Sequence, residues 1–283
     1  MNSSKESEIL RCLDYRVSGK EFSLDPVEDG SILMTVPQPS EDELFSYYES
    51  EDYISHTDSR ENFLDKLYQS VKGVMLKRKL NWIKGLYEGG SLLDVGAGTG
   101  DFLLEAKKEG WEVFGIEPSQ KARERALSKG IDLIDKIDFN SSNFFDVITM
   151  WHVLEHVPDY KSQIVEMRNL LKPGGILVVA VPNFKSYDAR KYNHFWAGYD
   201  VPRHLWHFSR VGIINAITEK GFVFEKERPL IFDSFYVSLL SEKYKTGKRR
   251  VLPAFKNGLF SNLRAARTGE YSSLTYFFRK LDN

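Results

Sequence analysis

Three glycines at two-residue steps, Gly96, Gly98 and Gly100, follow the apolar run Ser91–Val95 and precede a helically spaced segment, Asp101–Glu109. A glycine-rich turn between strand and helix lets the backbone approach a ligand with no Cβ in the way. Glu117 stands 17 residues after Gly100, at the end of the next strand-like run, Glu112–Ile116. A carboxylate there can accept hydrogen bonds from both hydroxyls of a ribose. Two ligand classes compete for this arrangement. A dinucleotide turn has the spacing G-x-G-x-x-G, because a pyrophosphate rests on the helix N-terminus. Here the spacing is G-x-G-x-G, and Asp101 occupies the place of the last dinucleotide glycine. That carboxylate would lie beside a phosphate. S-adenosylmethionine has no phosphate and carries a cationic amino group and sulfonium, so Asp94 and Asp101 are tolerable neighbours. The reading favours this methyl donor. It assigns its site to Asp94, Gly96, Ala97, Gly98, Glu117, Pro118, Trp151 and His152.

A second set of chemically capable residues is histidine-rich. His152, Glu155 and His156 have the H-x-x-E-H spacing of a zinc protease, but that motif needs a helix, and here it follows the strand-like run Phe145–Met150. A His/Glu/His set could take a transition metal. The plainer reading, in which Glu155 and His156 brace the next turn and His152 lines the donor pocket, is preferred, and no metal is expected. Pro202-Arg203-His204-Leu205-Trp206-His207-Phe208 follows an insert containing Phe195, Trp196 and Tyr199. Aromatic walls suit a planar or apolar acceptor next to a sulfonium, so residues 184–208 are expected to form a lid over the acceptor. His204 is the base candidate, because an imidazole titrates near neutrality, and His152 is a second catalytic candidate. Tyr53 and His56 could add to the acceptor pocket from the N-terminal side. The competing reading of the insert is a hydrophobic segment with polar tips.

These residues need a scaffold. Strand-like runs (Ser91–Val95, Glu112–Ile116, a weaker Ile131–Ile137, Phe145–Met150, Ile176–Val181) alternate with helical ones (Asp101–Glu109, Ser119–Lys129, Tyr160–Leu171), with glycine at several junctions. Alternation of this kind predicts an α/β, doubly wound, mostly parallel sheet with helices on both faces. Ligands of such sheets bind beyond the carboxyl ends of the strands. Downstream, Arg210–Lys220 reads as a helix, and Phe222–Glu227 and Ser273–Phe278 as an antiparallel pair at the sheet edge. Residues 243–256 read as a basic loop punctuated by glycine and proline. Upstream, Glu21–Leu24 and Ser31–Val36 are short strand-like pieces, helical patterning starts near Glu41, and a helix spans Asn62–Tyr87. The expected division is an N-terminal cap over 1–70 and a catalytic domain over 71–283.

LLDVGAGTGDFL, VFGIEPS, FFDVITMWHVLEHVPD and LLKPGGILVVAVPN occur in this order, and together they resemble the motifs of the class I S-adenosylmethionine-dependent methyltransferases. The resemblance covers about residues 75–232 and is nearest to small-molecule enzymes around the quinone-biosynthesis O-methyltransferases and the sugar C-methyltransferases. It implies a Rossmann-like sheet of seven strands with one antiparallel edge strand, and methyl transfer to O, N or C of a small acceptor. In the quinone-type relatives the position matching His152 is a glutamate that, with the counterparts of Glu155 and His156, can hold a divalent cation. This chain departs there. Some relatives carry an N-terminal zinc ribbon, and Asp25–Gly30 stands where a cysteine knuckle would be, without cysteine. Cys12 alone cannot build a tetrahedral site.

Bulk properties narrow the alternatives. The 283 residues carry 39 Lys and Arg against 40 Asp and Glu, which argues against a nucleic-acid partner. One cysteine and no apolar leader fit a cytoplasmic setting, and no run is long enough for a transmembrane helix. Three rivals stay open. They are a nicotinamide-dependent oxidoreductase of related topology, a non-catalytic donor-binding module, and a methyltransferase of macromolecules that grips RNA or anionic lipid through Lys243–Arg250.

Overall fold

The computed structural model describes residues 9–40, 43–44, 47, 63–136 and 142–282, with the backbone alone over 63–70. Elements are numbered in chain order. Strands β1 (Leu10–Leu13), β2 (Glu21–Val27) and β3 (Ile32–Val36) precede helix α1 (Phe63–Lys84). An alternating stretch follows: β4 (Ser91–Val95), α2 (Asp101–Lys108), β5 (Glu112–Ile116), α3 (Gln120–Leu127), β6 (Phe145–Trp151), α4 (Tyr160–Leu170) and β7 (Leu171–Pro182). After α5 (Tyr187–Tyr192) come β8 (Trp206–Phe208), α6 (Arg210–Thr218), β9 (Phe222–Pro229), α7 (Asp233–Thr246), α8 (Val251–Thr268) and β10 (Ser273–Lys280).

The main sheet has six strands in the order β5-β4-β6-β7-β10-β9. β5, β4, β6 and β7 are parallel, and β10 runs antiparallel to both β7 and β9. The antiparallel strand therefore lies one place in from the edge, where an edge position was expected. The weak seventh strand at Ile131–Ile137 is reduced, among the described residues, to a single parallel bridge between Ile116 and Ile134. Strand alternation sends neighbours to opposite faces. Val147, Val178 and Phe277 pack with Leu80, Ile83 and Phe102 on one face, and Ile148, Val179 and Tyr276 pack with Ile164, Met167 and Ile213 on the other. Burial on both faces is why these strands read as continuous apolar runs. Ser119, Asp159 and Ser209 accept backbone N–H groups and cap α3, α4 and α6, which fixes where each helix starts.

The insert at 184–208 departs from the lid expectation. β8 pairs with β3 and completes a second sheet, β1-β2-β3-β8. Trp196 and Tyr199 are buried with Cys12, Phe22 and Leu24 in a core of their own, and Phe195 packs against it. Asp188, itself buried, accepts Trp196 Nε1–H at 2.8 Å and the hydroxyls of Ser261 and Ser272 at 2.6 and 2.7 Å. Arg203 is 1% exposed and pairs with Asp14 and Asp200 at 3.1 and 2.8 Å. Such a segment is core rather than a movable cover.

The basic loop read at 243–256 is instead the junction of two helices. Gly247, at φ +71°, ends α7 in the left-handed conformation, and Pro253 sits in the first turn of α8, where its missing N–H costs nothing. The glycine and proline were caps, and α7 and α8 form a hairpin beside the carboxyl edge of the sheet. No helix among the described residues is long and apolar enough to cross a membrane.

Core placement predicts that Trp196→Ala lowers unfolding stability by about 3–5 kcal/mol. Denaturant titration should register that loss, while affinity for S-adenosylhomocysteine stays unchanged in the folded fraction.

Candidate active site

The turn between β4 and α2 is shaped by its glycines for different reasons. Gly96 has φ +70°, and a Cβ there would lie 2.4 Å from Val153 Cγ2, so close packing against the end of β6 requires it. Gly98 has φ +55°, and a Cβ there would meet no atom within 4 Å. That position is open to the cavity described below. Gly96 and Ala97 N–H donate to Ile116 O at 2.8 and 2.9 Å, which ties the turn to the end of β5. Glu117 follows at once. Its two carboxylate oxygens accept Gly98 N–H at 2.8 Å and Ser119 N–H at 2.9 Å, leaving further lone pairs on each.

Gly96, Gly98, Glu117, Trp151 and His152 line one cavity of about 930 Å³, into which His156 and His204 also open. Asp94 lies beneath it. It is 2% exposed and accepts the Thr149 hydroxyl at 2.6 Å, and burial pushes its carboxyl up to about 7. Ala97 and Pro118 do not line the cavity. Phe195, Trp196 and Tyr199 are absent from its walls as well, and Tyr53 and His56 lie outside the described residues. The opposite wall comes from the helical hairpin: Phe232, Asp233, Phe235, Tyr236 and Leu239 at or on α7, and Ala254 and Phe255 on α8. None of these was foreseen. The signal available was the apolar spacing from Phe232 to Leu239, which has no chemistry of its own.

Residues 71–227 match the methyltransferase domain family, more than half of the chain. The chain belongs to that family, the class I S-adenosylmethionine-dependent methyltransferases of small-molecule type. The ubiquinone biosynthesis O-methyltransferase of Erwinia tasmaniensis is 36% identical over 122 residues, 38% of this chain and 50% of that protein. Its counterpart in Vibrio atlanticus is 34% identical over 138 residues, 43% of this chain and 56% of that protein. The chain thus spans about half the length of the curated relatives it matches. Among solved structures, phosphoethanolamine N-methyltransferase 2 of Haemonchus contortus with S-adenosyl-L-methionine has a TM-score of 0.54 at 16% identity, covering 88% of this chain and 62% of that one. The cyclase SpnF has a TM-score of 0.51 at 19% identity, covering 73% and 81%. At these identities the likeness is one of fold.

The histidines at the cavity divide into two groups. His152 sits at the end of β6 with φ +57°, a strained value for a residue with a side chain. Its Nδ1 lies 3.2 Å from Glu155 Oε1 and its Nε2 lies 3.1 Å from Asp233 Oδ2. Burial would depress its basicity, but the hydrogen bonds to Asp233 and Glu155 outweigh this and push it up to about 9. Both ring nitrogens face carboxylate oxygens, and the groups that cluster within 4.8 Å are Glu155, His156 and His204, without His152.

His204 belongs to a different trio. Its Nδ1 donates to Gly198 O and His156 Nδ1 donates to Arg203 O, each at 3.0 Å. A carbonyl can only accept, so in both rings Nε2 is the atom without a proton when the imidazole is neutral. Glu155, His156 and His204 bring ligand-type atoms within 4.8 Å of one another, and Glu155 Oε2 is buried with no hydrogen-bond partner among the described residues. These are the residues that could hold a divalent cation. Burial among like groups pushes His204 down to about 4.

The shift of His152 fixes a pH dependence. A raised value means the triad contributes stability that is complete below about 6.5 and is lost as pH rises through about 9. The melting-temperature gap between the wild type and His152→Ala should therefore be widest on the acid side of this window and close across it. A constant gap would contradict the charged triad.

Proposed function

We propose that this chain transfers a methyl group from S-adenosylmethionine to an oxygen of a small acceptor with an apolar body. The observation that carries the reading is the shared cavity. The open glycine turn and Glu117 form one wall and an aromatic helical hairpin forms the other, and about 930 Å³ is near the upper end for small-molecule sites. The donor fits the residues present, because Gly98 leaves room for close approach and Glu117 retains acceptor capacity for ribose hydroxyls. Similarity to ubiquinone biosynthesis O-methyltransferases supports oxygen as the acceptor atom.

When bound, the donor supplies a methyl group on a sulfonium, which is already a good leaving group. The protein's share is mainly geometric. Glu117 and the glycine turn orient the nucleoside, and Phe232, Phe235 and Tyr236 orient the acceptor and exclude water. Alignment alone accounts for roughly 7–11 kcal/mol of barrier in well-oriented systems. A hydroxyl acceptor must lose a proton, and His204 Nε2 is the group on the cavity wall placed to take it, with the Glu155 carboxylate near enough to favour the imidazolium.

Glu117→Ala should weaken S-adenosylhomocysteine binding by about 1.5–3 kcal/mol, the range of hydrogen bonds to a charged group, and Gly98→Val should abolish it. Isothermal calorimetry that finds Glu117→Ala at wild-type affinity would remove the donor assignment. His204→Ala should leave that affinity intact and slow transfer by about 10²–10⁴-fold in a tritiated-methyl assay over phenolic acceptors. Because His204 is held near 4, the wild-type rate should stay level as pH falls from neutrality until that value is approached.

A further inference from the structure

Helix α8 carries its side chains in an inverted order. Ala254, Gly258, Ser261 and Ala265, at helical spacing, are the buried ones. The outward face holds Val251, Leu252, Phe255, Leu259, Phe260 and Leu263, all largely exposed, with Leu252 at 76%. A helix that served only to roof the cavity would turn its large apolar residues inward. The charges are as one-sided as the apolar residues. Between Glu242 and Glu270 the sequence has eight Lys and Arg and no Asp or Glu, within a chain whose net charge is −1. Lys248, Arg249 and Arg250 stand at the start of the helix and Lys256, Arg264 and Arg267 along it, all exposed.

We propose that α8 docks this chain on an anionic membrane surface, lying in the plane of the headgroups with its apolar face in the acyl boundary. Both halves of the surface have a counterpart there: basic side chains meet lipid phosphates, and Leu and Phe enter the hydrocarbon. A polynucleotide would satisfy the cations but offer nothing to six large apolar side chains. A second copy of the chain, in a two-fold interface, would set this patch against itself, so its cations would repel. Continuity with the cavity adds a further argument. Val251 and Phe255 belong both to the exposed face and to the cavity wall, so an apolar molecule held in the bilayer would meet the cavity without crossing water. The docking surface itself does not depend on the methyl-transfer reading.

The test is sedimentation of the full chain with vesicles of phosphatidylcholine alone and of phosphatidylcholine mixed with phosphatidylglycerol. The expected result is binding to the mixed vesicles that weakens as salt is raised and is much poorer on phosphatidylcholine alone. Leu252→Glu combined with Leu259→Glu should abolish binding, and Lys248→Glu combined with Arg249→Glu should reduce it by about tenfold or more. All four side chains are exposed and lie outside the cavity wall, so S-adenosylhomocysteine affinity should be retained and reports on folding. No binding to either vesicle, or undiminished binding by both double variants, would overturn the proposal. So would a concentration-dependent dimer that Leu259→Glu dissociates and that shows no affinity for vesicles.

Discussion

The cavity depends on one charged contact. β6 is followed at once by a left-handed residue, His152, whose ring reaches forward to Glu155 on the turn after the strand and across to Asp233 at the first turn of α7. Apolar contacts alone do not fix direction. An imidazolium between two carboxylates does fix it, because both ring N–H groups have defined acceptors. The strain at φ +57° is the cost of aiming the ring at both partners.

The two walls of the cavity are built by different means. The glycine-turn wall is backbone work. Gly96 is needed where β4 passes Val153, Gly98 where the wall opens, and Glu117 is anchored by the Gly98 amide of that turn and by Ser119 N–H. A few consecutive residues specify it, so its geometry changes little unless those residues change. The helical wall is side-chain work on helices more than a hundred residues downstream. The buried carboxylate of Asp188 holds it in place by joining the insert, α8 and the segment leading into β10. Substitutions on the cavity side of α7 can alter that wall and leave Asp188 and the sheet intact.

That division also explains what the sequence made legible. The parallel core was readable because its strands are buried on both faces and its first two helices are followed by Gly110 and Gly130. Gly98 and Glu117 stood out because a glycine turn followed by an acid-tipped strand is a spacing that suits ligand contact, and both line the cavity. Trp196, Tyr199 and Phe195 misled for a physical reason. A dense aromatic cluster has the same composition whether it waits for a ligand or packs against Phe22 and Leu24, and only the pairing of β8 with β3 decides. His204 was singled out by type, but its surroundings, burial beside His156, are carried by no linear pattern. α7 and α8 were hidden by Gly247 and Pro253, which mark helix ends here but read equally well as loop residues.

The central claim is that donor turn and helical hairpin face each other across one chamber. A crystal structure with S-adenosylhomocysteine tests it most directly. The account predicts the ribose hydroxyls on Glu117, the nucleoside against Gly98, and the sulfur directed toward the space between His204 and Tyr236. Ligand bound with its ribose away from Glu117, or with its sulfur turned from the α7 wall, would contradict it.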